Sequence, residues 1–263
     1  MQKSTKMDKI EEPTSTTEVV NKESESTEFN YNTIMSLGNK VRMTDKDDIN
    51  DLELYCYVHC TENDLENLHK CRGVVVHNKE IVLQAFPYTV EYNHTENTHI
   101  SKIDIEKFKI FNAYEGSLIR MFCFNDKWYT CTHRKLNAFR SKWASKESFG
   151  NSFKNVIEHH FKTDTEYNNT DSIYDKFVST LDKNNQYMFL LTNNNENRIV
   201  CIPQENSKVY HVGTFIDGNL CLDHSCGIPI PKQHNFSSIE DLIHFVDNID
   251  IREMQGVICY SPN

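Results

Sequence analysis

The residues best suited to chemistry fall between Tyr129 and Trp143. Thr132-His133-Arg134-Lys135, followed by Arg140 and Lys142, puts four permanent cations within nine residues of a chain whose net charge is −10. Tyr129, Phe139 and Trp143 interleave with them. Cations neutralise phosphates and rings stack on unpaired bases, so the pattern suits a single-stranded nucleic acid. The alternative is a solvated basic face whose aromatics point into the core. Two Cys/His groups, Cys56/His59/Cys60/His69/Cys71 and Cys221/His224/Cys226, raise the question of zinc. Neither has the paired C-x2-C spacing of a structural site, so both read as free thiols near strand ends and no metal site is expected. No Gly-rich phosphate loop, Ser-His-Asp order or Cys-His protease signature is present.

Composition bounds the rest. With 263 residues, 38% hydrophobic and 25% charged, the chain is long enough for a real core and polar in its lean. The acidic balance argues against a general nucleic-acid coat but leaves room for a local basic groove. Nine scattered cysteines, several inside apolar runs, suit a reducing compartment rather than a disulfide framework. A polar, charged N-terminus gives no signal peptide, and no apolar run is long enough to span a membrane.

These residues need a scaffold to position them. Residues 1–29 are Ser, Thr, Glu and Lys with few large apolar side chains, a composition that cannot offset its ordering entropy; a disordered tail is expected there, and one folded domain over 30–263. Strands are expected at Glu53–His59, at Gly73–His77 with Glu80–Phe86, and at Leu118–Phe124 with Lys127–Thr132. The last two pairs read as hairpins turning at Asn78-Lys79 and Asn125-Asp126. Phe149, Phe153, Val156, Ile157 and Phe161 recur at helical spacing behind Ser145 or Ser148, and Asp171–Lys183 holds a second amphipathic pattern. Tyr187–Leu191 and Arg198–Pro203 read as strands around an Asn-rich turn. Ser237-x-x-Glu240 reads as a capping box before a short helix, and Gly256–Tyr260 as a final strand.

Four segments then carry a resemblance. They are Cys71-Arg72-Gly73-Val74-Val75 with Gln84–Tyr88 and Tyr92-Asn93; Ala113-Tyr114-Glu115-Gly116-Ser117-Leu118-Ile119; Tyr187–Val200 ending in Asn197-Arg198-Ile199-Val200; and Met254-Gln255-Gly256-Val257-Ile258. In this order they resemble the phage-type RNA ligase branch of the covalent nucleotidyltransferase superfamily, which includes DNA ligases and mRNA-capping enzymes. The resemblance covers about residues 50–260. It implies an α+β fold with an antiparallel, ATP-grasp-like ligase sheet core and flanking helices. It also implies a lysine that attacks the α-phosphate of ATP or GTP, with Mg as the metal. Arg72 and Gly73 would then lie at a phosphate, Tyr114, Glu115 and Gly116 at the nucleotide, with Glu115 on a ribose hydroxyl, and Gln255 beside the metal.

The departures from that pattern all weaken catalysis. Ala113 holds the nucleophile's slot, and a methyl group attacks nothing. Phe189-Leu190-Leu191 carries no carboxylate where the family has a glutamate, and Gln255 is a neutral amide in an acidic slot. The family's last motif, a strand with two lysines, is expected after Tyr260 and does not appear before Asn263. Lys109, four residues before Ala113, would lie on the same strand face roughly 13 Å away, too far to substitute. The expectation is an RNA ligase-like protein without autonomous nucleotidyl transfer, whose Arg134, Lys135, Arg140 and Lys142 bind single-stranded RNA. Two rivals remain open. One is an active ATP-dependent RNA ligase or capping-type guanylyltransferase, as a fragment or knockout, including a version that seals pre-adenylylated RNA. The other is a protein-interaction module on the same fold. Thr132–Leu136 and Ser141–Trp143 resemble ligase-like proteins of large DNA viruses, which implies a monomer at work in a virus-infected cytoplasm.

Overall fold

A computed structural model describes residues 29–91, 104–143, 145–167, 170–192, 201, 206–250 and 252–261. The expected tail, the Tyr92-Asn93 segment and the Asn197–Val200 run lie outside the described residues, as does the strand expected at 198–203 except Cys201, which sits in a bend. Three antiparallel sheets and five helices make an α+β fold among those described residues.

The first sheet has four strands in sequence order: β1 (Val41–Asp47), β2 (Leu52–Tyr57), β3 (Arg72–His77) and β4 (Glu80–Leu83). Strands β3 and β4 turn through Asn78 and Lys79, both in the left-handed region at φ 49° and 67°, which matches the twist of a two-residue hairpin. Helices α1 (Tyr31–Ser36) and α2 (Glu66–His69) cover one face, where Ile34 and Leu68 pack on Val74 and Val76. Asn30 caps α1 by accepting from the Thr33 amide.

The second sheet is built on β6 (Gly116–Phe124) and β7 (Lys127–Cys131), turning through Asn125 and Asp126 at φ 50° and 58°. It continues through β8 (Gln186–Thr192), β9 (Val209–Ile216) and β10 (Asn219–Cys221) in the order β10-β9-β8-β6-β7. Alternation decides what each face does. Ile119, Met121, Phe189 and Leu191 face α3 (Phe149–Phe161) and α4 (Ile173–Thr180), where Phe153, Ile157, Phe161 and Phe177 meet them. Phe122 and Met188 face the other way, onto Leu52, Leu54, Val75 and Leu83 of the first sheet. Arg120 shares that inward face and is fully buried.

The third sheet is small: β11 (Gln233–His234), β5 (Lys109–Ala113) and β12 (Gly256–Tyr260), with β5 in the middle. Helix α5 (Ile239–Asp247) packs Ile239 and Leu242 against Ile110. Its cap is Ser238, accepting from the Asp241 amide at 3.1 Å, not the expected Ser237. Ser237 instead donates to the Asp241 carboxylate at 2.6 Å, so the pattern was one residue out of register. Ser148 caps α3 through the Asn151 amide.

Candidate functional site

Ala113 ends β5 and pairs directly with Gly256 of β12, while the Gln255 amide donates to the Ala113 carbonyl at 2.9 Å. Two of the four resembling segments therefore lie side by side, and a third joins them where β6 pairs with β8. Beyond them the chain is tied down. Asn112 donates to the Tyr114 hydroxyl at 2.8 Å and sits 2.6 Å from the His234 ring. Tyr114 stacks on Tyr210 of β9, centroids 4.6 Å apart and planes 13° from parallel. Burial, with Tyr114 close by, pushes the Tyr210 hydroxyl up to about 12, so it is neutral at physiological pH.

Between β5 and β12 on one side and β8 and β9 on the other, a cavity of ≈ 30 Å³ remains, walled by Phe111, Tyr114, Leu190, Val212, Ile258 and Tyr260. Ligand sites are usually about ten times that size or larger. Leu190, in the Phe189-Leu190-Leu191 run expected to lack the resembling family's acid, presents hydrocarbon to this cavity. Gln255 is exposed and carries no charge. Magnesium takes carboxylate and phosphate oxygens, so the described residues here do not fit that ion. Lys109, at the far end of β5, is ion-paired to Asp223.

Glu115 and Gly116 are engaged within the protein. Glu115 is buried, and its carboxylate accepts from the Cys201 amide at 2.7 Å. A Cβ on Gly116 would run into the Leu191 carbonyl across the sheet, so the missing side chain allows β6 to approach β8.

Of the basic residues, Arg72 and Arg134 come together at the seam of the first two sheets, where both act on His133. Arg72 opens β3 and is exposed. Arg134 and Lys135 lie in the loop after β7, which Thr132 folds by accepting from both of their amides at 3.3 and 3.1 Å. Lys135 reaches Asp45 at 3.4 Å. Arg140 ends a single 3-10 turn, Ala138–Arg140, with Lys142 and Trp143 exposed just after it. Trp143 is 52% exposed, so one ring stands in water after these cations, while Phe139 packs its ring edge-on to Tyr174 and against Gly150. Tyr129, expected with them, points inward instead: it stacks on Phe122 at 5.0 Å and donates to Asp47 at 2.7 Å. Strand alternation explains the difference, since Tyr129 falls on the inward face of β7.

Two residues of this group were not singled out from sequence. Arg120 lies under the seam and donates to the carbonyls of Gly73 and, at 2.7 Å, Thr132. Its signal was available: a charge at an inward position of an otherwise apolar strand. The other is His133, whose ring is pulled down to about 4 by burial and then by Arg72, Arg120 and Arg134. No spacing rule marks a histidine in a loop as lying among three arginines.

His69 bonds the Thr61 carbonyl at 2.8 Å and stacks on Tyr88, and Cys71 is buried with its thiol on the Asn67 carbonyl. Among the described residues no cluster of three or more His, Cys, Asp or Glu could hold a metal ion. No helix among them is long and apolar enough to cross a membrane.

No protein-family model matches the chain. It is 38% identical over 157 residues to an "Immediate-early protein ICP-46 homolog" of Invertebrate iridescent virus 6, covering 57% of this chain and 34% of that protein. It is 20% identical over 206 residues to a "Putative bifunctional polynucleotide kinase/RNA ligase" of Autographa californica nuclear polyhedrosis virus, covering 74% of this chain and 28% of that protein. Each match spans about a third of the relative's length. A solved "Putative ATP-dependent DNA ligase" from Aquifex aeolicus overlays with a TM-score of 0.48 at 10% identity, over 87% of this chain and 57% of that one.

Proposed function

We propose that this chain is an RNA ligase-like nucleotidyltransferase module that has lost covalent nucleotidyl transfer and keeps a face for single-stranded RNA. The observation that carries this reading is the surroundings of Ala113. The strand end that would present a lysine presents a methyl group, and the lysine on the same strand is occupied by Asp223. Nearby, Tyr114 stacks on Tyr210, and Leu190 lines a small cavity with no carboxylate in its walls. The similarity to a viral protein described as an RNA ligase supports the class. The viral relatives support an infected cell as its setting.

Incubating the chain with α-labelled ATP or GTP and Mg²⁺, then denaturing electrophoresis, is expected to leave no labelled protein band. A labelled band would overturn the loss of transfer. The RNA face is tested by salt-dependent binding. For a single strand each phosphate contact contributes about 0.7 to the slope of log K against log salt. Arg134→Ala with Lys135→Ala is therefore expected to weaken binding and lower that slope by about 1.4. An unchanged slope would remove this loop from the interface.

A further inference from the structure

The chain carries 38 acidic residues against 28 basic ones, and its lysines find partners readily: Lys40 with Asp64, Lys127 with Asp47, Lys135 with Asp45. Three exposed arginines at one end of the first sheet do not. Arg42 of β1 stands opposite Cys56 of β2, and Cys56 opposite Arg72 of β3, so the two arginines flank one row across three strands. Gly73, next to Arg72, comes so close to the loop after β7 that an added Cβ would lie 2.8 Å from the His133 Cα, and Arg134 follows in that loop. Among the described residues none of the three is in an ion pair. Apolar surface is open at the same end. Val58, just past β2, is 50% exposed, and Leu65, before α2, is 66% exposed. Lys40 joins them: its carbonyl accepts from the Val58 amide at 2.9 Å, and its ammonium pairs at 3.1 Å with Asp64, the residue before Leu65.

The N-terminal segment joins the fold at this end. Phe29 packs there, in the cluster of Tyr57 and Cys71, with the Lys70 ammonium 6.0 Å from its ring. The residues before it read Glu18-Val19-Val20-Asn21-Lys22-Glu23-Ser24-Glu25-Ser26-Thr27-Glu28. That is an apolar pair, then Glu23, Glu25 and Glu28 with no cation among them. Such a composition builds no core of its own, so a surface for it must come from the folded domain. We propose that residues 18–28 dock back on this end of the first sheet, their three glutamates on Arg42, Arg72 and Arg134 and Val19 and Val20 on Val58 and Leu65. An extended chain spans about 3.3 Å per residue, so the stretch from Val20 to Phe29 reaches roughly 30 Å. Tethering holds the segment at an effective concentration on the order of millimolar, at which a few weak exposed ion pairs suffice. Because Arg134 belongs to the RNA face, the docked segment is a built-in competitor that a single strand must displace. That competition rests on the RNA reading above; the docking rests on the arginine row and the apolar pair.

Methyl NMR on the full chain tests the docking without RNA. At about 0.1 M salt, where the Debye length is about 10 Å, nuclear Overhauser effects are expected from the Val19 and Val20 methyls to those of Val58 and Leu65. Glu23→Gln combined with Glu25→Gln and Glu28→Gln is expected to remove them. The same triple variant is expected to bind a hydroxyl-ended oligoribonucleotide about fivefold tighter than wild type, the strength of two or three exposed ion pairs. Glu80→Gln with Glu166→Gln and Glu240→Gln removes as much charge from exposed sites elsewhere, Glu80 lying at the opposite end of β3. Screening should hold that control to a gain of no more than about twofold. Absence of the valine contacts in wild type sinks the docking, whatever RNA does. A gain in the tail variant no larger than the control's sinks the competition. Valine contacts in a protein that binds no RNA in any form uphold the docked segment and overturn the RNA reading instead.

Discussion

Gly73→Ala is expected to destabilise the fold by roughly 4 kcal/mol, lowering the melting temperature by roughly 8–16 °C for a domain of this size. Two costs add at this position. Gly73 sits at φ +90°, where a side chain costs about 1–3 kcal/mol in backbone strain. Its added Cβ would also lie 2.8 Å from the His133 Cα, the His133 carbonyl and the Arg120 guanidinium. None of these yields easily: two are backbone, and the guanidinium is held between the Gly73 and Thr132 carbonyls. Overpacking of that kind costs about 1–3 kcal/mol more. Gly256→Ala is the built-in comparison, since Gly256 also has positive φ, 142°, but nothing lies within 4 Å of its added Cβ. Urea titrations of both variants measure the difference. A Gly73→Ala loss no larger than that of Gly256→Ala would mean that the seam between the sheets is soft, and the arginine cluster with it.

The seam also explains which parts of the fold were legible. The hairpins at Asn78-Lys79 and Asn125-Asp126 carry their turn chemistry and their β-branched or aromatic arms within fifteen residues, so local pattern suffices. Helix α3 shows its cap and its period together. Strand β9 was missed because its alternation is broken: Met188 faces Gly213 and Phe189 faces His211, which leaves Val212 bulged, and a histidine and a glycine stand where apolar residues would mark a buried face. Strand β1, Val-Arg-Met-Thr-Asp-Lys-Asp, is a charged edge whose strand state comes from pairing with β2 rather than from its own composition. The capping box before α5 slipped by one residue because two serines stand in tandem, and only backbone geometry chooses between them.

The candidate site divides along the same line. That Ala113, Gln255 and Gly256 are neighbours followed from a resemblance between segments far apart in sequence, and the β5–β12 pairing puts them together. The Tyr114–Tyr210 stack had no local signal, because it joins residues nearly a hundred positions apart. Glu115 and Gly116 show the limit of reading a motif residue by residue. A carboxylate and a glycine in a ligand-like pattern also have work inside the fold, at the Cys201 amide and in the approach to β8.

Acid is expected to destabilise the protein well above the range where its carboxylates titrate, and His211 is the reason. Its ring is fully buried, with one nitrogen 2.8 Å from the Thr214 hydroxyl and Nδ1 without a hydrogen bond. Phe189 lies 5.5 Å away and His224 6.3 Å, so a proton on this ring would sit among rings and beside a second imidazole. Burial pulls its midpoint from 6.5 down to about 4 against the Gly213 carbonyl, which favours the charged form, with the His224 charge adding to the fall. The sign follows directly. Between these two values the unfolded chain binds a proton that the folded chain refuses, so stability is whole above pH 6.5 and drains as the pH falls toward about 4. Over that interval the loss is roughly 2–3 kcal/mol. His133 drains stability in the same direction and the same window, so urea titrations of wild type and His211→Phe at pH 7 and pH 4.5, in buffers free of phosphate, separate the two. The phenylalanine keeps the ring contacts and gives up the Thr214 bond, so the variant starts less stable at pH 7. What matters is the slope, which should fall by about half. Asp64 and Asp250, with carboxyls held down to about 2, lose their partners only below this window and cannot supply the effect. If His211→Phe loses as much stability as wild type between the two pH values, the buried imidazole takes up its proton without penalty, and the packing of β9 against β8 must open to water to allow it.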